Sequence, residues 1–141
     1  MTALRLIAGL VLGFLAGSVA MMLCHFATMP LFPPPDGVEP WNPDHREQVL
    51  EWMKTLPDSA FIVAAFCHWI GATVGALVGM LVGGRGSMLP AWLVGGAFTI
   101  AGIMNLAQAP HPAWFPFVDL PGYLIVAFLV GRLLLRRPAA D

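Results

Sequence analysis

Four long apolar runs alternate with proline-rich, glycine-rich or charged breaks along the chain. The runs cover about Leu4–Met29, Ala60–Val82, Pro90–Ala109 and Leu120–Leu135. A helix needs roughly 20 residues to cross the hydrocarbon of a bilayer, so each run predicts a transmembrane helix. The fourth is the shortest and is completed by tilt or by snorkelling of its terminal arginines. Two runs carry a finer pattern: Gly9, Gly13 and Gly17 recur every four residues, as do Gly71, Gly75 and Gly79. Residues four apart share a helix face, and in lipid a glycine face lets a second helix approach closely. Two such faces in one chain predict packing of the first helix on the second; self-association of two copies is the alternative use.

The first break opens with MPLFPPPDGVEPWNP, which proline keeps out of regular helix. The segment PDHREQVLEWMKTL that follows it is amphipathic, with Val49, Leu50, Met53 and Leu56 on one side and Trp52 beside them. It predicts a short helix over about 43–56, capped by Asn42, with Pro43 at its first position and Asp44 in its first turn. Such a helix suits the membrane surface, or a lid on the bundle. Pro57 ends it, and Asp58 or Ser59 is expected to cap the next helix. The last break, QAPHPAWFPFVDLPGY, holds four prolines. Its Trp114, Phe115 and Phe117, with Trp41, Trp52 and Trp69, fit an interfacial aromatic belt.

Composition sharpens this reading. Of 141 residues 58% are hydrophobic and 11% charged, against roughly 25% charged in soluble domains. The length suits one domain. A net charge of −1 provides no basic patch for nucleic acid. The first run is far longer than the roughly 7–15 residues of a signal-peptide core and is expected to stay as a helix. Arg5, Arg85, Arg132, Arg136 and Arg137 fall on one side of a four-span topology. Arg46 and Lys54 fall on the other, among six acids: Asp36, Glu39, Asp44, Glu47, Glu51 and Asp58. The positive-inside rule then places both termini in the cytoplasm of a bacterial inner membrane. The expected fold is an all-α integral membrane domain: a four-helix antiparallel bundle with a short interfacial helix in its first extracytoplasmic loop.

The polar residues of the apolar runs gather toward that extracytoplasmic end: Cys24, His25, Cys67, His68, Asn105, Gln108, His111, Asp119 and Tyr123. Polar groups in lipid turn to a bundle interior or a wet cavity, so an outward-facing cavity is expected. His68, the deepest titratable group, has Asn105 and Asp119 as its expected partners, in a ligand site or in a network that only fixes helix packing. The two Cys-His pairs raise a metal reading. His25 and His68 could clamp a haem, although helical rise puts their depths about 6 Å apart. Cys24, Cys67, His25 and His68, with Met21, Met22 and Met29 as extra soft ligands, could hold copper or zinc. A Cys24–Cys67 disulfide is a further alternative. Adjacent residues point about 100° apart on a helix, which disfavours a Cys-His pair as two ligands of one ion, and packing is the preferred reading. No cofactor is therefore expected. The chain lacks Cys-x-x-Cys, a phosphate-binding glycine loop and a metalloprotease helix motif. Ser59 and Ser87 have no evident base.

From helix 2 onward, HWIGATVGALVG (68–79), GGAFTIAGIMN (95–105), PHPAWFPFVDLPGY (110–123) and VGR (130–132), with FPPPDG and LPDSAF in the first loop, resemble a family of small uncharacterised four-helix bacterial inner-membrane proteins. The resemblance implies four spans and an outward loop. It marks His68, Gly71, Gly75, Asn105, Pro112, Trp114, Phe115, Asp119 and Tyr123 as pattern positions, and carries over no activity. Cys24, His25 and Cys67 lie outside it. The expected function is non-enzymatic: binding of a lipid-like ligand, or of a larger membrane complex, through the outer cavity and aromatic loops. A haem or metal redox protein and an oligomeric transporter or channel are the alternatives. The expected partners are membrane lipids.

Overall fold

The computed structural model describes residues 2–135, so Arg136 and Arg137 lie outside the described residues. Helix α1 spans Ala3–Thr28 and ends in a 3-10 turn, Met29–Leu31. A second 3-10 turn, Pro43–His45, leads into α2, Arg46–Thr55. Helices α3 (Asp58–Gly83), α4 (Leu89–Leu106) and α5 (Phe115–Leu134) follow. No strand occurs among the described residues. Four helices, α1, α3, α4 and α5, are long and apolar enough to cross a membrane. Their outward faces carry large apolar side chains, including Leu15, Phe66, Ile100 and Ile125, each more than half exposed. Water would not tolerate such a continuous apolar exterior; this is the build of a multi-pass membrane protein.

The local signals act as the residues suggest at the start of α2. The Asn42 side chain accepts a hydrogen bond from the Asp44 amide at 3.0 Å, with Pro43 at the first position. Pro43–His45 is nonetheless a 3-10 turn, and regular helix begins only at Arg46. The expected cap of α3 is not made. Pro57 is its N-cap residue, without a side-chain cap bond, and Asp58 instead accepts a hydrogen bond from Trp114 Nε1 at 3.1 Å. Gly84 closes α3 at φ +110°, a backbone state that side chains strain, and its amide still bonds the Met80 carbonyl at 3.1 Å.

The largest departures are at the ends of α4 and α5. Helix α4 stops at Leu106 rather than near Ala109, and α5 starts at Phe115 rather than near Leu120. Two prolines in the last break act as helix residues, not as breakers. Pro116 occupies the first turn of α5, where its missing amide donor would be unpaired anyway. Pro121 sits inside the helix, where it leaves one carbonyl of the preceding turn without its usual donor. Membrane helices tolerate this lapse where neighbouring groups or local adjustment re-satisfy the backbone. Asp119 therefore lies within α5 and is buried, not at a helix boundary.

Helix α3 is the hub, packed on α1, α4 and α5, whereas α1 touches chiefly α3. The glycines explain why. A Cβ added at Gly9 would come within 2.8 Å of the Gly79 carbonyl oxygen and the Gly83 Cα; one at Gly13 within 2.7 Å of the Gly75 oxygen; one at Gly17 within 2.5 Å of the Gly71 oxygen. Such backbone-to-backbone approach admits no side chain. Because the numbers fall along α3 as they rise along α1, the two helices run in opposite senses. The same test pairs α3 with α4 through Gly75, Val94 and Phe98, and α4 with α5 through Gly95 and Ala127. Gly122 faces the Trp69 indole so closely that any Cβ would collide with it. Trp69 thus packs between α3 and α5 instead of joining the aromatic belt. Its Nε1 is buried without a hydrogen-bond partner.

Candidate functional site

Along α1 the four-residue series reads Gly9, Gly13, Gly17, Met21, His25; along α3 it reads Gly83, Gly79, Gly75, Gly71, with Cys67, His68 and Ala64 beyond. Where glycine gives way to larger side chains the helices can no longer touch by backbone. A cavity of about 550 Å³ opens there, at the α2 end of the bundle. Pockets of roughly 300–1,000 Å³ are the size that encloses small-molecule ligands. Met21 and His25 from α1, Ala64 and His68 from α3, Ala101 from α4 and Tyr123 from α5 all reach its wall. Trp52 and Met53 of α2 and Leu56 just after it cover the cavity, while the charged residues Arg46, Glu47, Glu51 and Lys54 of that helix face outward.

The polar centre of the wall is a chain of three residues. His68 Nδ1 donates to Asp119 Oδ1 at 2.8 Å, and Tyr123 Oη donates to Asp119 Oδ2 at 3.2 Å. Asp119 is 1% exposed and His68 9%, so this carboxylate is satisfied wholly by protein donors. Helix geometry supplies the arrangement: Asp119 and Tyr123 are four apart on one face of α5, and α3 brings His68 against that face. The ring of His68 stacks on Tyr123 with centroids 6.0 Å apart. It also meets the His25 ring edge to face at 5.2 Å. Phe98 continues the stack, 6.1 Å from Tyr123, and Phe14 lies 4.8 Å beyond it.

The remaining candidates separate. Asn105 and His111 line the cavity. Asn105 is exposed, and no hydrogen bond joins it to His68 or Asp119 among the described residues. His111 donates its Nδ1 hydrogen to the Pro112 carbonyl at 3.1 Å. Gln108 turns back on α4, its Nε2 donating to the Met104 carbonyl at 3.0 Å. Trp114 serves the Asp58 bond described above. The sequence reading left out Phe14 and Phe98, and raised Met21 only as a possible soft metal ligand. Met21 continues the glycine series by one more step of four.

His25 and His68 lie closer than helical rise alone suggests, their ring centroids 5.2 Å apart and edge to face. No group of three or more His, Cys, Asp or Glu side chains is placed to hold a metal ion among the described residues. Cys24 and Cys67 are free thiols. Cys67 lies at the α1–α3 contact, its Sγ 3.7 Å from Thr28 Oγ1; Thr28 Oγ1 also donates to the Cys24 carbonyl at 2.9 Å. Comparison with protein-family models, with curated proteins and with solved structures finds no match to this chain.

Proposed function

We propose that this protein is a non-enzymatic inner-membrane binder of an apolar, lipid-like molecule, held in the cavity between α1, α3, α4 and α5 beneath α2. The observation that carries the reading is the cavity itself. It has the volume of a ligand site and mostly apolar walls, with a few polar side chains that include His25, His68 and Tyr123. A pocket with apolar walls and a few convergent polar groups is the usual form of a small-molecule site.

In this reading the four long helices form an antiparallel bundle, and α2 rests at the membrane surface as a roof. Arg5 and Arg132 cluster with the Arg85 turn at the opposite end: Arg5 Nε donates to the Val82 carbonyl at 3.4 Å, and a Cβ on Gly131 would touch Met88. That grouping supports the cytoplasmic assignment of both termini and puts the cavity at the extracytoplasmic side. Access from the bilayer fits the ligand class, because a lipid-like molecule arrives already dissolved in the membrane.

Filling the cavity tests the proposal. Ala101 lines it from α4, and Ala101→Trp places an indole in the space. Native mass spectrometry of protein released from mild detergent should find an apolar molecule of discrete mass on the wild type and none on Ala101→Trp, with unfolding temperatures that match within a few degrees. Equal retention of lipid by both forms would place the lipid on the exterior and defeat the reading.

A further inference from the structure

The His68–Asp119–Tyr123 chain also specifies the ligand's polar end, if the cavity is a ligand site as proposed. The geometry points to a molecule that ends in a hydroxyl donor, such as an isoprenoid or other long-chain alcohol, with its O–H donating to His68 Nε2.

The argument starts at Asp119. An ionised carboxylate only accepts hydrogen bonds. Both of its oxygens are engaged, Oδ1 by His68 Nδ1 at 2.8 Å and Oδ2 by Tyr123 Oη at 3.2 Å. With Asp119 ionised and His68 neutral, the ring proton sits on Nδ1, because a bare Nδ1 would face a second acceptor at that distance. A carboxylate that fixes one ring nitrogen in this way fixes the tautomer of the whole ring. The other nitrogen, Nε2, then carries a lone pair and accepts. The ring borders the cavity, whereas Asp119, which holds the Nδ1 edge, is not part of the cavity wall. The His68 side chain keeps 11% of its surface exposed. With Nδ1 turned to Asp119, Nε2 is the ring nitrogen left to meet whatever fills the space. Tyr123 shares the wall, but its hydroxyl hydrogen is committed to Asp119. The wall thus offers an acceptor at His68 amid mostly apolar surface, with Ser18, His25, Thr28, Asn105 and His111 as its other polar side chains.

Recognition by an acceptor whose tautomer is fixed discriminates between donors and non-donors. A hydroxyl satisfies Nε2. An ether of the same chain sets a lone pair against a lone pair and leaves a buried acceptor unpaired. His25, whose ring meets His68 edge to face, also lines the cavity, but no carboxylate is seen holding its tautomer among the described residues.

The test uses full-length protein in lipid nanodiscs, with farnesol and farnesyl methyl ether as paired probes at equal mole fraction in the lipid. Occupancy is read by native mass spectrometry. Wild type should bind the alcohol at least about tenfold tighter than the ether. Asp119→Asn lets the new amide donate to Nδ1, which moves the ring proton to Nε2 and turns an acceptor into a donor. The preference for alcohol should then disappear or reverse. Nitrogen-15 NMR of the histidine-labelled wild type supplies a readout that does not depend on the variant folding, and His68 should show a protonated Nδ1 and a bare Nε2. Equal binding of alcohol and ether by wild type, or a proton on Nε2, overturns this inference while leaving the cavity reading intact. Binding of neither probe, with no native ligand retained, overturns both.

Discussion

Asp119 sets the energetics at the scale of single residues. A buried carboxylate in a membrane-spanning helix is expensive, and it is held here by one donor from α3 and one from its own helix. The two donors are not equivalent. His68→Leu removes the partner from a 1%-exposed carboxylate and should destabilise the fold by about 3–5 kcal/mol. Tyr123→Phe keeps the shape and the second donor and should cost about 1–2 kcal/mol. The double substitution His68→Leu with Asp119→Leu removes the stranded charge along with its partner. It should be more stable than His68→Leu alone, because apolar replacement of a whole buried pair is often neutral. Unfolding midpoints in mixed detergent micelles order the variants. A double variant no better than His68→Leu would mean that the pair acts through ligand or shape and not through charge.

At the scale of elements the glycine faces decide which helices meet. Gly13 approaches both the Gly75 carbonyl and the Val94 side chain, so Gly13→Ala has no room to relax by a rotamer change. Overpacking of this kind should cost about 1–3 kcal/mol and push α1 away from α3. Gly96, on the same bundle, has open space where its Cβ would go. Gly96→Ala should be neutral or stabilising by up to about 1 kcal/mol through helix propensity. Thermal unfolding of the two variants side by side distinguishes a packing role from a general intolerance of alanine. The prolines of α5 teach the converse lesson. Pro116 and Pro121 look like breakers in the sequence, yet one occupies a position that needs no amide donor and the other lies inside a helix that packs on two neighbours.

For the whole molecule, an apolar exterior surrounds a bundle that is tight at the arginine end and hollow at the α2 end. This polarity makes the proposed orientation testable. Gly86→Cys, on the exposed turn between α3 and α4, should resist a membrane-impermeant maleimide in intact cells and react after permeabilisation. Asp44→Cys, on the exposed segment before α2, should react in intact cells. Both are made in a Cys24→Ala, Cys67→Ala background, and the opposite labelling pattern would invert the topology.

The sequence by itself determined the four spanning runs and the amphipathic segment, though not where α4 ends or α5 begins, because the bilayer reads only length and apolarity and α-helix satisfies its own backbone. It also contained the glycine periodicity, since a face recurs with the helical repeat whatever it touches. It named His68, Asp119 and Tyr123 among its candidates, because polar residues in apolar runs stand out. It could not select them from Asn105, Gln108, His111 and Trp114. That choice depends on how α3 and α5 are rotated against each other, and rotation is set by packing at contacts such as Trp69 on Gly122, distant in the chain. Only the tertiary structure brought His25 onto the edge of His68, placed α2 over the space and opened the cavity where glycine ends. A cavity is a failure of neighbouring surfaces to meet, and no single segment encodes that.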